Sequence, residues 1–244
     1  MQTSLLPDQV AALPDKAPEY DLRDLLAAGC HFGHQSHRWH PRAADFIYME
    51  KDGVHIFDLA KTAEQLKLAY NFFFQLGKQN KTVVFVATKR QAREIVKEAT
   101  AESGLMTITS RWLGGLLTNW EQISKSLKRM VEIETGLKED TFKGYTKYER
   151  VQLEKELGRL IRFFDGIRNL KGKPDALFIV DTVREDNAVK EAATVGVPVV
   201  ALVDSNGNPF DVTIPIPGND DAVASISFIV TQMVEAYKAG RADK

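Results

Sequence analysis

The run Thr82-Val83-Val84-Phe85-Val86-Ala87 presents almost no polar position, and Ala176-Leu177-Phe178-Ile179-Val180 repeats the pattern far downstream. Unbroken apolar character of this length predicts strands buried on both faces, as in a parallel sheet. A third run, Val197-Pro198-Val199-Val200-Ala201-Leu202-Val203, carries its proline near the strand entrance, where the missing N–H is tolerated. Helical spacing follows the first two runs, over Gln91 to Ser103 and Glu185 to Val195. Strand alternating with helix predicts an α/β domain built on a parallel sheet. Nearer the start, Phe46-Ile47-Tyr48-Met49 and Val54-His55-Ile56-Phe57 flank Asp52-Gly53, a hairpin-turn signal.

The pattern changes between 119 and 171. Leu153, Leu157, Leu160, Phe164 and Ile167 recur at alternating steps of four and three, the spacing of a coiled-coil seam, and Trp120, Ile123, Leu127 and Met130 repeat it upstream. Gly136, Gly144 and a capping box from Thr146 to Glu149 supply a turn and a fresh helix start between them. The expectation is an antiparallel coiled-coil helical hairpin at 119–171, inserted into an α/β domain made of 21–118 and 172–244. A narrow seam with charged flanks suits partner binding, and a simple packed helix pair is the plainer alternative. Residues 1–20, with Pro7, Pro14 and Pro18, read as a flexible N-terminal tail.

Composition narrows the setting. The single Cys30 cannot form an internal disulfide, which points to a reducing compartment. No apolar run approaches the roughly 18 residues of a membrane span, and the acidic, proline-containing start resembles neither a signal nor a transit peptide. A soluble cytoplasmic protein is expected. The net charge of −1 conceals a division: summing Lys and Arg against Asp and Glu gives −2 for residues 1–80, +7 for 81–174 and −6 for 175–244. A basic middle beside an acidic end can hold a polyanion on one face, although solvated helix faces give the same sums.

The segment Thr109-Ser110-Arg111-Trp112-Leu113-Gly114-Gly115-Leu116-Leu117-Thr118-Asn119-Trp120 joins a cation, two indoles and a glycine pair to a helix start. Arg111 offers a donor fork suited to phosphate and Trp112 a flat apolar face, so the loop reads as a docking surface. Thr118 and Glu121 form a second capping-box signal. Four of the five histidines lie in His31-Phe32-Gly33-His34-Gln35-Ser36-His37-Arg38-Trp39-His40, directly after Cys30. Zinc accepts such ligands, but the spacing is not that of a finger and no second cluster follows. Arg38, Trp39 and Arg42 fit phosphate contact with stacking.

Thr88-Lys89-Arg90 after the first strand run could hold a phosphate at a helix N-terminus, from a nucleotide or from RNA. Asp181, Asp204, Asp220 and Asp221 either meet at strand ends or cap helices and turns. The glycine-rich nucleotide motifs and the G-x-S-x-G nucleophile motif are absent from the chain. Two rivals to a binding role are therefore a nucleotide-binding α/β enzyme dependent on Lys89 and a metal-dependent regulator using Cys30 and the histidines.

Several separated stretches resemble the family of bacterial small-ribosomal-subunit protein two. They include Ala28-Gly29-Cys30-His31-Phe32-Gly33-His34-Gln35, Phe85-Val86-Ala87-Thr88-Lys89-Arg90, Ser110-Arg111-Trp112-Leu113-Gly114-Gly115-Leu116-Leu117-Thr118-Asn119 and Ile216-Pro217-Gly218-Asn219-Asp220-Asp221-Ala222. The likeness runs from about Asp21 to Arg241. It implies a Rossmann-like α/β domain with a coiled-coil hairpin, serving as a structural constituent of the small ribosomal subunit without catalytic activity; no metal or cofactor is expected. The implied partners are small-subunit ribosomal RNA and neighbouring ribosomal proteins, among them ribosomal protein one in bacteria that have it. Residue chemistry separately nominates the RNA contacts: Arg38, Trp39, Arg42, Lys89, Arg90, Arg111, Trp112, Lys125, Lys128 and Arg129. Alanine at both Arg111 and Trp112 is expected to weaken incorporation into subunits and leave the isolated fold intact.

Overall fold

In the computed structural model, residues 13–243 are described. Helix α1 (Leu22–Ala27) leads into a small antiparallel sheet of β1 (Phe32–Gln35), β2 (Ile47–Lys51) and β3 (Val54–Phe57), in the order β1-β3-β2. Asp52 and Gly53 both take positive φ, 53° and 75°, as a two-residue hairpin turn of the primed type demands. The chain continues through α2 (Leu59–Lys78), β4 (Val83–Val86), α3 (Arg90–Thr100), β5 (Met106–Ile108), α4 (Trp120–Lys138) and α5 (Lys147–Phe164). It closes with β6 (Ala176–Val180), α6 (Asp186–Val195), β7 (Val199–Val203), β8 (Ile214–Pro217) and α7 (Val223–Ala242).

Five strands form one parallel sheet in the order β5-β4-β6-β7-β8. Side chains alternate across it, so each strand feeds two cores. Val83, Phe85, Phe178 and Val200 meet α2, α3 and α7 on one face, where Phe73 of α2 packs edge-on against Phe85 and Phe178 with centroids 5.8 and 6.0 Å away. Val84, Val86, Leu177, Ile179 and Ala201 meet α6 and the base of the α4–α5 pair on the other. Long helices α2 and α7 approach to backbone contact: a Cβ on Gly77 would strike the Tyr237 carbonyl, and one on Gly240 the Phe74 carbonyl.

The helical segment departs from a free coiled coil. Helices α4 and α5 do pack together, and the Thr146–Glu149 capping box forms. However, Leu153 and Phe164 are the buried residues of α5, while Leu157 and Leu160 are half-exposed. Ile123, Leu127, Met130, Phe164 and Ile167 share their core with the sheet. Sheet packing at the base supplies the burial that a regular seam would otherwise provide. The Thr118–Glu121 box does not form either, because Asn119 takes the N-cap position without a side-chain bond and Thr118 turns to Glu191. Residues 1–12 of the expected tail lie outside the described residues. Beyond them Leu13 and Tyr20 pack on the first core, and the Lys16 N–H donates to Asn71 at 2.8 Å.

Candidate nucleic-acid interface

Parallel strands deliver all their carboxyl ends to one edge, and in a sheet of this order the connections reverse between β4 and β6, where doubly wound folds bind ligands. The β1 segment closes over the β7 and β8 end of that edge. There the His34 N–H donates to Ser205 Oγ at 2.8 Å and the His40 N–H to the Ser205 carbonyl at 2.7 Å. Gly33 is required beneath them, since a Cβ would lie 2.9 Å from Ser205 Oγ.

Beside this lid three of the four aspartates gather around one lysine, and the fourth, Asp204, is held by its own partners. Lys89 Nζ lies 2.6 Å from Asp220, 2.7 Å from Asp221 and 3.5 Å from Asp181. Asp204 accepts from the Ser205 N–H at 2.6 Å and meets His34 Nδ1 at 2.9 Å. Burial, reinforced by the charges of Asp204 and Asp181, pushes the Asp220 carboxyl up to about 7. The hydrogen bond to Asp204 raises His34, and the surrounding carboxylates raise Lys89 despite the opposing effect of burial. Lys89 is thus a buried cation with three internal partners, which an RNA phosphate would have to compete with.

The metal reading on Cys30 and the histidines also meets this geometry. Cys30 is fully buried in the first core, His40 Nδ1 accepts from the Arg42 N–H, and His37 faces solvent. The rings do not converge on the thiol. Potential ligand atoms of His34, Asp204 and Asp220 do lie within 4.8 Å of one another, a different set from the histidine run. In that set Asp220 is neutralised by Lys89 and Asp204 is bonded by His34.

Across the β4–β6 boundary the edge is open. The loop after β5 is pinned by Glu191 of α6, whose carboxylate accepts from Trp112 Nε1 at 3.1 Å, from the Gly115 N–H at 2.8 Å and from the Leu117 N–H at 3.1 Å. Thr118 adds its hydroxyl at 3.3 Å. Gly115 supplies the positive φ, 87°, that turns these amides to one side. Partial burial opposes the Glu191 charge, but the indole and amide donors outweigh it and hold the carboxyl below its usual range. The result buries Trp112 to 6% exposure, packed in the second core, with little of its indole left for a base to stack on. Arg111 stays exposed.

Between this loop and α6 lies a polar crevice of about 560 Å³, lined by Thr88, Ser110, Arg111, Arg184, Glu185 and Asn187 among others. Glu185 is buried and accepts from both the N–H and the hydroxyl of Thr88, while burial raises its carboxyl. Arg184 Nε donates to the same Thr88 hydroxyl at 3.0 Å.

The remaining nominated residues divide by position. Arg90 and Arg111 follow strand ends, Arg38 lines a second crevice with Asp204 and Asp221, and Arg42 is exposed just after the His40 contact. Trp39 is 40% exposed, its ring 5.0 Å from that of His55. On α4, Lys125 pairs with Glu121 and Arg129 with Glu132 and Glu156. Lys128 is exposed beside Trp120, Leu127 and Val131. Sequence reading missed Glu191 and Arg184. Nothing local distinguishes Glu191 from any helix-surface acid, but Arg184 stood in plain view just past a strand run.

A family model described as Ribosomal protein S2 matches residues 25–240.

Proposed function

The chain belongs to the ribosomal protein S2 family, a class of structural components of the small ribosomal subunit, and from that premise we propose how it serves there. It binds small-subunit ribosomal RNA and neighbouring ribosomal proteins in the cytoplasm, and so supports subunit assembly and translation. It carries out no catalysis. The observation that carries this reading is the family match across nearly the whole described chain.

Geometry supports the RNA part in one respect: Arg38, Arg42, Arg90 and Arg111 are exposed around the carboxyl edge of the sheet or on the segment lying over it, and Trp39 follows Arg38 directly. Arginine forks grip phosphate and an exposed indole stacks on an unpaired base. Lys125, Lys128 and Arg129 extend the basic surface along α4, and the helical pair at 119–171 is the element best shaped to meet a protein neighbour. Whether ribosomal protein one is that neighbour is decided by cross-linking in cells that contain it. The nucleotide-enzyme rival loses its main support, because Lys89 is committed to carboxylates. No described helix is long and apolar enough to cross a membrane.

Sedimentation of the tagged protein from lysate through sucrose gradients at low and high salt tests the reading. Co-migration with small subunits that survives moderate salt is expected, since nonspecific phosphate binding falls steeply as salt rises. Migration as a free protein beside intact ribosomes would overturn it.

A further inference from the structure

The open crevice at the β4–β6 switch point carries charge that the fold itself does not use. Arg111 makes no ion pair or side-chain hydrogen bond among the described residues, and Arg184 spends only its Nε, on Thr88. Thr88 is itself fixed by the buried Glu185, so the Arg184 side chain is held by a rigid support while its terminal amino groups stay available. The carboxylates nearby are occupied: Glu185 faces Thr88, and Glu191 is surrounded by the donors of the 112–118 loop. Lys190 at the rim is tied to Asp186 at 2.6 Å. The crevice therefore presents two guanidinium groups and no unengaged acid among its lining residues.

Paired guanidinium forks complement tetrahedral oxyanions with parallel N–H donors. The location agrees, since parallel sheets of this strand order receive ligands at this boundary. The polar lining also separates it from the groove on α4, where Trp120, Leu127, Val131 and Leu170 dominate. We propose that the crevice takes up one phosphate group between Arg111 and Arg184, and that its source is the backbone of ribosomal RNA. The assignment of source rests on the ribosomal reading. A free nucleotide or inorganic phosphate would offer the same oxygens.

The test uses the full chain as wild type, Arg111→Ala, Arg184→Ala and Arg184→Lys, with amide spectra reporting that each is folded. One arm titrates inorganic phosphate and AMP while following the amides of Thr88, Gly114 and Asn187. The other measures affinity for a small-subunit ribosomal RNA transcript across a salt series. Each alanine variant is expected to bind the transcript about tenfold more weakly, the worth of one charge-assisted contact. Its log–log salt slope should fall by about 0.9. Arg184→Lys should fall between wild type and alanine, keeping charge but losing the fork.

If phosphate or AMP saturates the crevice amides while all variants bind the transcript equally, the phosphate site stands and its RNA source is overturned. Unchanged transcript binding together with unmoved amides overturns the site altogether. That failure is distinct from failure of the ribosomal reading, which shows only as loss of wild-type co-sedimentation with small subunits.

Discussion

The two halves of the sheet's carboxyl edge are built from the same kinds of residue and reach opposite states. At β7 and β8 the aspartates close on Lys89 and His34 under the β1 lid, and nearly every charge has an internal partner. Toward β4 and β5 the acids of the segment after β6 are turned inward to Thr88 and to backbone amides, leaving Arg111 and Arg184 facing a crevice. Location at strand ends therefore does not by itself make a binding surface. What decides is which charges remain after the fold has satisfied its own.

The comparison breaks most readily at Lys89. Lys89→Met leaves Asp220 and Asp181 without their counter-charge, and urea unfolding at pH 8 should show a loss of about 3–5 kcal/mol, as for one partner removed from a buried pair. At pH 5 the loss should be smaller, because Asp220, at about 7 in the fold, is already largely protonated there and has less need of a counter-charge. An equal, small cost at both pH values would show that the closed half is held by packing rather than charge.

On the open half, Trp112→Ala should cost about 3–5 kcal/mol as a buried aromatic truncation, whereas Arg111→Ala next to it should stay within about 0.5 kcal/mol. The burial of Trp112 thus argues against an intact fold for the double variant. Glu191→Ala should fall between, at roughly 2–3 kcal/mol, since it leaves several loop donors without an acceptor. Thermal unfolding of the three variants checks the ranking, and a stable Trp112→Ala protein would show that the fold does not depend on that indole.

A finer test is titration. The Asp220 carboxyl stands at about 7 in the fold against an ordinary value of 3.8. Between those values the folded chain binds more protons than the unfolded one, so this group's contribution to stability declines as pH rises. His34, raised by Asp204, continues the decline above the usual imidazole range. Asp220→Asn should therefore gain on wild type between pH 4 and 8, by an amount on the order of 1–3 kcal/mol. Parallel stability–pH curves for the two proteins would contradict the charge assignment.

Much of the fold was legible because it depends on local pattern. Continuous apolar runs announced β4, β6 and β7, and Asp52-Gly53 announced its hairpin. Strands β1, β5 and β8 were harder, being short and, in β8, divided by Pro215. The candidate site was legible only in its exposed arginines. Lys89 and Trp112 carry the residue types of RNA contacts, and only the long-range positions of Asp220 and Glu191 convert them into interior residues. Capping at Thr118 failed for the same reason: a distant acid outcompeted the local one.

One pairing in the sheet also sets a schedule. Strand β4 lies between β5 and β6, and Val83 pairs with Ala176 across 93 intervening steps of chain. During synthesis at about 5–20 residues per second, roughly 5–20 s pass between the appearance of one partner and the other. Through that interval β5 can cover one side of β4, while its other edge waits with a row of unpaired amides and an apolar surface. The helices at 119–171 emerge in the gap, and Ile123, Leu127 and Met130 are among the first side chains able to shelter one face of the waiting strand. The inserted segment thus has a place in the timing of the chain's own birth, before any subunit receives it.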